Sequence, residues 1–583
     1  MYFGLQSMYY KYAWGVNYWD QNDKDTSVKH MNMVSCRNDS AAMQVVVGAD
    51  HDLLLTVSEE PLFWKGGPMQ IARIKVRMNE ADAPEASAQW IGLMKDDDGA
   101  EKADVLQDSH HVFVPRRKLQ PVWVEWSIGK RARPGIYTGT VMLYTHTMFD
   151  DELPAGELSF TLKVLEHTLP DAQDYRFYLD LWQHNANIAR KYDVPLWSEA
   201  HFSVMKVYLE SLARLGQKAA SAVVSEIPWS GQKSHIDAEP SDLFEYSMIQ
   251  VTRDANGVFR YNYAALDRYI ELAAACGITE EIELFGLLSI WQPKDGVYGS
   301  PLQDYPDAIR VRYYDEATAN YKFIRQATDI EQYIGSLHNH LTAKGWIHKV
   351  RIMADEPDNV ELFQERVRAL RRVAPSFKFK VAIDSADLIE AKLEGIHDYV
   401  PKLDCAMRQF ARIRELAPEV PGRMLFYVCG SPKRPNTFIG SPGIEARIIP
   451  WLAEWLGLDG FLRWNYTAWP DRPLERIGYR PTNWPAGDMN FVYPGPAGKP
   501  LLSLRYKWLQ RGVRDAELMR QLREAGLSGQ VDELLDGVFR ADAGRGPESF
   551  NPERPAHELY SLEPADYDRL FLLAQSMGEP EAP

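Results

Sequence analysis

The stretch VRIMADEPDN, Val350 to Asn359, sets Asp355 and Glu356 side by side where an apolar run ends, with Pro357 directly after them. Like charges that close repel, and a desolvated carboxylate costs several kcal/mol unless it is satisfied. Such a pair is either a solvated turn closed by the proline or the working end of an enzyme. In the second case burial and the neighbour's charge raise a carboxyl's proton affinity, as a general acid near neutral pH requires. The segment alone leaves both readings open.

The elements that would position this pair come in two rhythms. Up to about residue 168 the chain reads as β-structure. Gln120–Thr147 holds two alternating runs, and Arg133, Pro134 and Gly135 break and turn the chain between them. Alternation with closely spaced turn signals predicts a sandwich. His167–Tyr175 then lacks periodicity and reads as a linker. Beyond it, short apolar runs alternate with amphipathic helical stretches. Strands are expected in Arg176–His184, Gln217–Trp229, Ile282–Pro293 and Val350–Asp355, and from Phe377, Leu403, Arg423 and Gly460. Helices are expected over Ser198–Gly216, Tyr263–Gly277, Ile330–Gly345 and Asn359–Ala374. The fold class is therefore multidomain: an N-terminal antiparallel β-sandwich over 1–168, then a TIM-like (β/α)8 barrel with a C-terminal helical extension over 171–583.

In such barrels the active site lies at the carboxyl ends of the strands. Polar and aromatic residues gather at those ends: Asp180, Trp182, His184, Trp229, Trp291, Asp355, Glu356, Asp384, Arg408, Tyr427, Trp464, Asn465 and Trp469. Strand ends are often polar merely because they meet solvent. Exposed indoles, however, are costly without a ligand, and rings with a few carboxylates suit sugars, whose C–H faces stack while hydroxyls bond to acids.

Adjacent acids constrain the sugar chemistry. Most glycosidases set two carboxyls on opposite sides of the substrate, about 5–5.5 Å apart for retention and about 6.5–9.5 Å for inversion. Neighbouring Cα atoms are only about 3.8 Å apart, and strand alternation makes their side chains diverge. A different division of labour fits better. Glu356 protonates the leaving oxygen, and Asp355 orients a 2-acetamido group whose carbonyl attacks C1 to form an oxazolinium. Burial and the charge of Asp355 are expected to raise the pKa of Glu356.

MADEP at the fourth strand, RPNTF (434–438), FLRWNYTAW (461–469), NWPAGDMNFVYPG (483–495), SLRYKWLQRGVRDAELMRQL (503–522) and LDLWQH (179–184) together resemble glycoside hydrolase family 123. The resemblance covers nearly the whole chain and is strongest from Leu179 to Leu522. It implies an exo-acting, retaining β-N-acetylgalactosaminidase with a sandwich and a catalytic barrel. The family's Asp-Glu pair matches Asp355, as the support of the acetamido group, and Glu356, as general acid/base. The further residues above, with Tyr466, are candidates for substrate binding, and Tyr427 or Tyr466 for a hydrogen bond to the acetamide carbonyl. The implied partner is a glycan or glycolipid with terminal β-GalNAc, and no cofactor or metal is expected.

Other classes fit less well. Net charge is -16, which disfavours nucleic acid and anionic membranes. His338 and His340 lie two apart on an expected helix and so point about 200° apart, too divergent to share a metal with each other. No GxSxG elbow appears, and Cys36, Cys276, Cys405 and Cys429 are too scattered for a disulfide framework. The N-terminus lacks a basic start and an apolar core segment, and no apolar run approaches the roughly 18 residues that span a bilayer. A cytoplasmic location is the expectation, with secretion open if a leader precedes the chain. Two rivals stay open: a retaining glycosidase for a non-acetamido sugar with Asp180 or Asp384 as nucleophile, and a non-catalytic carbohydrate-binding protein.

Overall fold

The computed structural model describes residues 1–13, 28–58, 70–147, 149–226, 245–288, 309–357, 359–470, 472–475, 484–540 and 546–576. The N-terminal part is sheet-rich. Tyr2–Ser7, Asp39–Gly48, Leu119–Ile128, Ala86–Lys95 and Glu101–Gln107 form one sheet in that order. His30–Arg37, Leu153–Thr168, Gly135–Thr147, Gln70–Met78, Leu53–Thr56 and His111–Val114 form the second. The two runs either side of Pro134 fall in different sheets, so the turn there is a crossover. The expected antiparallel pattern needs correction at two pairs. His30–Arg37 runs parallel to Leu153–Thr168, and Leu53–Thr56 parallel to Gln70–Met78. Both sheets contribute to one apolar core, with Met43, Val45, Val122 and Val124 of the first and Val141, Leu143, Leu158 and Phe160 of the second.

From residue 178 onward parallel strands alternate with helices. Tyr178–Leu181, Gly460–Arg463 and Leu425–Tyr427 form a three-stranded parallel sheet. Ala219–Val223, Glu281–Phe285, Val350–Asp355, Lys378–Ile383 and Ile396–Pro401 form a five-stranded one. Isolated parallel bridges link the two sheets, at Leu179–Gln217 on one side and at Tyr399–Met424 and Lys402–Tyr427 on the other. Seven of the expected strands are found in place. The sixth is corrected: Leu403–Arg408 is a helix, and the strand is the preceding Ile396–Pro401. Its apolar residues Leu403, Ala406 and Met407 sit at i, i+3 and i+4, a helical spacing.

Side chains on the two faces of these strands have different fates. One set makes a common cluster with a member from every strand: Tyr178, Val223, Phe285, Met353, Ala382, Val400, Leu425 and Leu462. The alternate set, including Leu179, Ala222, Leu284, Ile352, Val381, Tyr399, Phe426 and Phe461, joins the larger core that contains helix residues. Those helices are Glu199–Ala213, Ala264–Ala275, Ala327–Ala343, Val360–Val373 and Gly443–Leu456.

Beneath that cluster lies a buried charge group. The Lys380 ammonium, fully buried, donates to Asp180 and lies 3.0 Å from Glu281 and 2.7 Å from Glu283. It also sits 4.9 Å from the centre of the Tyr178 ring. Burial, then the charge of Asp180, pushes the Glu283 carboxyl well above its usual range, so one acid of the group stays protonated.

The 21-residue helix Leu504–Glu524 joins the two halves of the chain. Arg505 donates to both oxygens of Asp104 at 2.9 and 2.8 Å, and Lys507 to Glu125 at 2.6 Å. Arg511 donates to both oxygens of Asp39 at 2.7 and 2.6 Å. Burial pushes the Asp39 carboxyl up, but the guanidiniums of Arg511 and Arg514 outweigh it and hold the group below its ordinary value.

Removing one member of a buried ion group strands the others without compensation. Lys380→Met is therefore expected to lower unfolding free energy by about 3–5 kcal/mol, read from chemical denaturation. A loss below about 1 kcal/mol would show that the group does not hold these strands together.

Candidate active site

Asp355 closes the strand Val350–Asp355, and its neighbour Glu356 leaves the strand with a φ of 44°. That left-handed conformation is unfavourable for a residue with a Cβ and breaks the alternation that would separate the two carboxyls. The Glu356 amide donates to the carbonyl of Ala382 on the next strand at 3.0 Å, which holds the bend in place. The buried Tyr427 hydroxyl then donates to Glu356 Oε1 from the end of the strand Leu425–Tyr427.

Burial, then the charge of Glu356, pushes the Asp355 carboxyl well above the ordinary carboxylate range. Asp355 therefore holds its proton where an isolated carboxyl would have lost it. Burial and the Glu356 charge also raise the Tyr427 phenol, so it stays a hydrogen-bond donor.

The aromatic wall comes from the strand Gly460–Arg463 and the segment after it. Trp464 is half-buried, stands 5.7 Å from Trp484 and meets the His184 ring edge-on at 6.0 Å. His184 Nε2 lies 3.0 Å from the Trp464 carbonyl, which can only accept, so that nitrogen carries the proton. Burial pushes His184 down to about 4, so it is neutral.

Asp488 is a functional candidate that the sequence reading missed, although it lies within the NWPAGDMNF stretch. It is fully buried, and its Oδ1 accepts from Arg463 at 2.7 Å and from the Trp464 indole at 3.4 Å. Burial outweighs the Arg463 charge and raises its carboxyl to about 6. The Cys429 thiol is pushed up to about 12 by burial and then by the charges of Asp488 and Glu356, which places both acids around it. Lys402, also missed, stands at the same end, its position hidden by the misplaced sixth strand.

The remaining sequence candidates divide. Trp182 is buried edge-on against Phe285 at 4.9 Å. Asp384 and Arg408 are exposed neighbours 3.6 Å apart, and Arg408 also pairs with Asp404 at 3.0 Å. Asn465 is fully buried, and its amide has no hydrogen-bond partner among the described residues. Three further candidates are engaged with buried partners. Asp180 is committed to Lys380 inside the sheets. Tyr466 is buried with its hydroxyl 2.6 Å from Ser211 on a flanking helix. Trp469 is a core residue, its indole donating to the Val492 carbonyl at 2.7 Å. Trp229 and Trp291 lie outside the described residues.

Among the described residues no group of three or more His, Cys, Asp or Glu side chains is arranged to hold a metal ion. His340 is paired with Asp267 at 2.6 Å, while His338 packs edge-on against Phe377, so the two histidines diverge as their spacing requires. All four cysteines are free, and no described helix is long and apolar enough to cross a membrane.

The family model "Glycoside hydrolase 123, catalytic domain" matches residues 182–522. A family 123 glycoside hydrolase from Clostridium perfringens, described for glycolipid glycan hydrolysis, superposes with a TM-score of 0.74 at 19% identity. That match covers 99% of this chain and 97% of the other, and it speaks for a shared fold. A β-D-glucuronidase from Dictyoglomus thermophilum is far more distant, with a TM-score of 0.29, 9% identity and coverage of 76% and 68%. No curated protein matches the chain.

The raised Asp488 carboxyl has a measurable consequence. A carboxyl whose folded value lies above its unfolded one adds stability at low pH that is lost as pH rises through the folded value. Between pH 4 and pH 7.5 the unaltered protein should therefore lose about 2 kcal/mol more stability than Asp488→Asn, taking the shift from 3.8 to about 6. Parallel stability profiles for the two proteins would refute the raised value.

Proposed function

Because this chain belongs to glycoside hydrolase family 123, we propose that it is an exo-acting, retaining β-N-acetylgalactosaminidase that removes terminal β-linked GalNAc with help from the substrate's own 2-acetamido group. The same reading treats 1–168 as a sandwich domain and 171–583 as a catalytic (β/α)8 barrel with a helical extension. The action of the Clostridium perfringens protein on glycolipid glycans supports a glycan or glycolipid substrate. The observation that carries the mechanism is the adjacent pair itself: Asp355 raised by burial and by Glu356, with the Tyr427 hydroxyl on Glu356.

The reaction follows from where the proton held at Asp355 goes. When the sugar binds, the acetamide N–H meets Asp355 and favours its ionised form, because hydrogen bonding to a charged group stabilises it. The proton then resides on Glu356, which delivers it to the leaving oxygen. The acetamide carbonyl oxygen attacks C1 as that bond breaks, and Asp355 balances the positive charge that develops on the amide nitrogen. Glu356, now a carboxylate, takes a proton from the water that opens the oxazolinium at C1, so the anomeric configuration is retained. Trp464 and Trp484 offer faces for the sugar's C–H surface.

The rival with an enzyme nucleophile is weakened at Asp180, which Lys380 engages in a fully buried group. Asp384 remains, exposed and beside Arg408.

Glu356→Gln should lower kcat by roughly 10²–10⁴-fold on natural disaccharides and less on activated aryl glycosides. Normal turnover of disaccharides by that variant would end its assignment as the acid. Asp355→Asn should also slow turnover, and stepwise fluorination of the substrate's acetyl group should slow the unaltered enzyme progressively, since each fluorine withdraws electrons from the attacking carbonyl. A trapped 2-fluoro-sugar adduct on Asp384, with rates indifferent to fluorination, would overturn the substrate-assisted mechanism.

A further inference from the structure

Lys402 follows directly on the strand Ile396–Pro401 and is the bridge partner of Tyr427 across the junction between the two parallel sheets. Bridge partners send their side chains to the same side. Tyr427 reaches Glu356 from that side, so Lys402 faces the same carboxyl. The strand's alternation agrees, because Val400, two residues earlier, belongs to the cluster shared by all the parallel strands.

This ammonium is half-buried and close to several acids, yet it makes no hydrogen bond or ion pair with any described residue. The nearby carboxylates are otherwise engaged. Arg408 occupies Asp384 and Asp404, and Tyr427 occupies Glu356. What remains is a three-donor cation, partly desolvated and open at the carboxyl end of the strands. Glu356 is among the charges that act on Lys402, whereas the causes that raise Asp355 are burial and Glu356. As the bridge partner of the tyrosine that donates to Glu356, Lys402 stands at the acid's end of the site, from which a proton reaches the leaving group.

We propose that Lys402 is a specificity-determining residue for the leaving group, donating hydrogen bonds to oxygens of the first sugar beyond the cleaved bond. The inference rests on the reading of Glu356 as the acid. It explains why a cation is kept beside the acid without being spent on an ion pair, and it assigns this sugar-binding role to a position that none of the aromatic wall supplies.

The test compares kcat/KM on a β-GalNAc disaccharide and on an aryl β-GalNAc, whose leaving group lacks hydroxyls. A charged hydrogen bond of ordinary strength predicts that Lys402→Met loses about 10- to 100-fold more on the disaccharide than on the aryl glycoside. Lys402→Arg should recover part of that difference. Equal losses on both substrates would mean that Lys402 acts through the fold, and a larger loss on the disaccharide accompanied by a shifted pH profile would mean that it acts through Glu356; either result would overturn the proposal. Undiminished cleavage of the disaccharide would overturn it as well. Should the unaltered protein cleave only sugars without an acetamido group, the GalNAc reading fails by itself. The same comparison, made on a disaccharide and an aryl glycoside of the accepted sugar, then still decides the role of Lys402.

Discussion

A lysine with no access to water sets the frame of the catalytic half. Lys380 reaches carboxylates on Tyr178–Leu181 and on Glu281–Phe285 from its own strand, so three strands share one buried cation. An unpaired charge there would cost several kcal/mol, and even a small shift of register would unpair it. The group thus works as a register lock. On the same strand Ala382, two residues beyond Lys380, accepts the amide of Glu356. The bend that turns the acid toward the site is anchored to the strand that the lysine fixes.

A second set of buried charges ties this half to the sheet-rich half. The arginines of Leu504–Glu524 meet Asp39 and Asp104, carboxylates from separate strands of one N-terminal sheet. Arg505 also donates to the carbonyls of Gly487 and Asn490, at 2.9 and 2.6 Å, on either side of Asp488. The N-terminal sheets therefore help to hold the segment that carries Asp488 beside Trp464. This gives the long basic motif near the C-terminus an architectural role, and explains why its charges do not mark a substrate site.

The acid pair rests on a local strain. Adjacent residues on a regular strand point apart, and the left-handed φ of Glu356 takes it out of that regular alternation. Strain of this kind costs on the order of 1–3 kcal/mol and persists only where the surroundings impose it. Here the Ala382 carbonyl and the Tyr427 hydroxyl impose it. The result is a buried Asp355 whose carboxyl is raised beside Glu356, with Glu356 held by a tyrosine hydroxyl.

The sequence by itself determined most of the elements and singled out the acid pair as the candidate site. Alternation, helical spacing and turn residues follow from local sterics and solvent exposure, so the change of rhythm near residue 168 and most of the parallel strands were readable. The Asp355–Glu356 pair was readable too, because two acids at the end of an apolar run need an explanation in any fold. Leu403–Arg408 was misread because six residues of mixed apolar character satisfy both periods. What tertiary structure alone decided was the use of each polar side chain. Asp180 and Asp384 look alike in sequence, yet one is buried against Lys380 and the other exposed beside Arg408. Trp464 and Trp469 differ in the same way, one half-buried beside a second indole and the other sealed in the core. Asp488 and Lys402 carried no local signal, because proton affinity and available donors depend on charges brought near by distant segments.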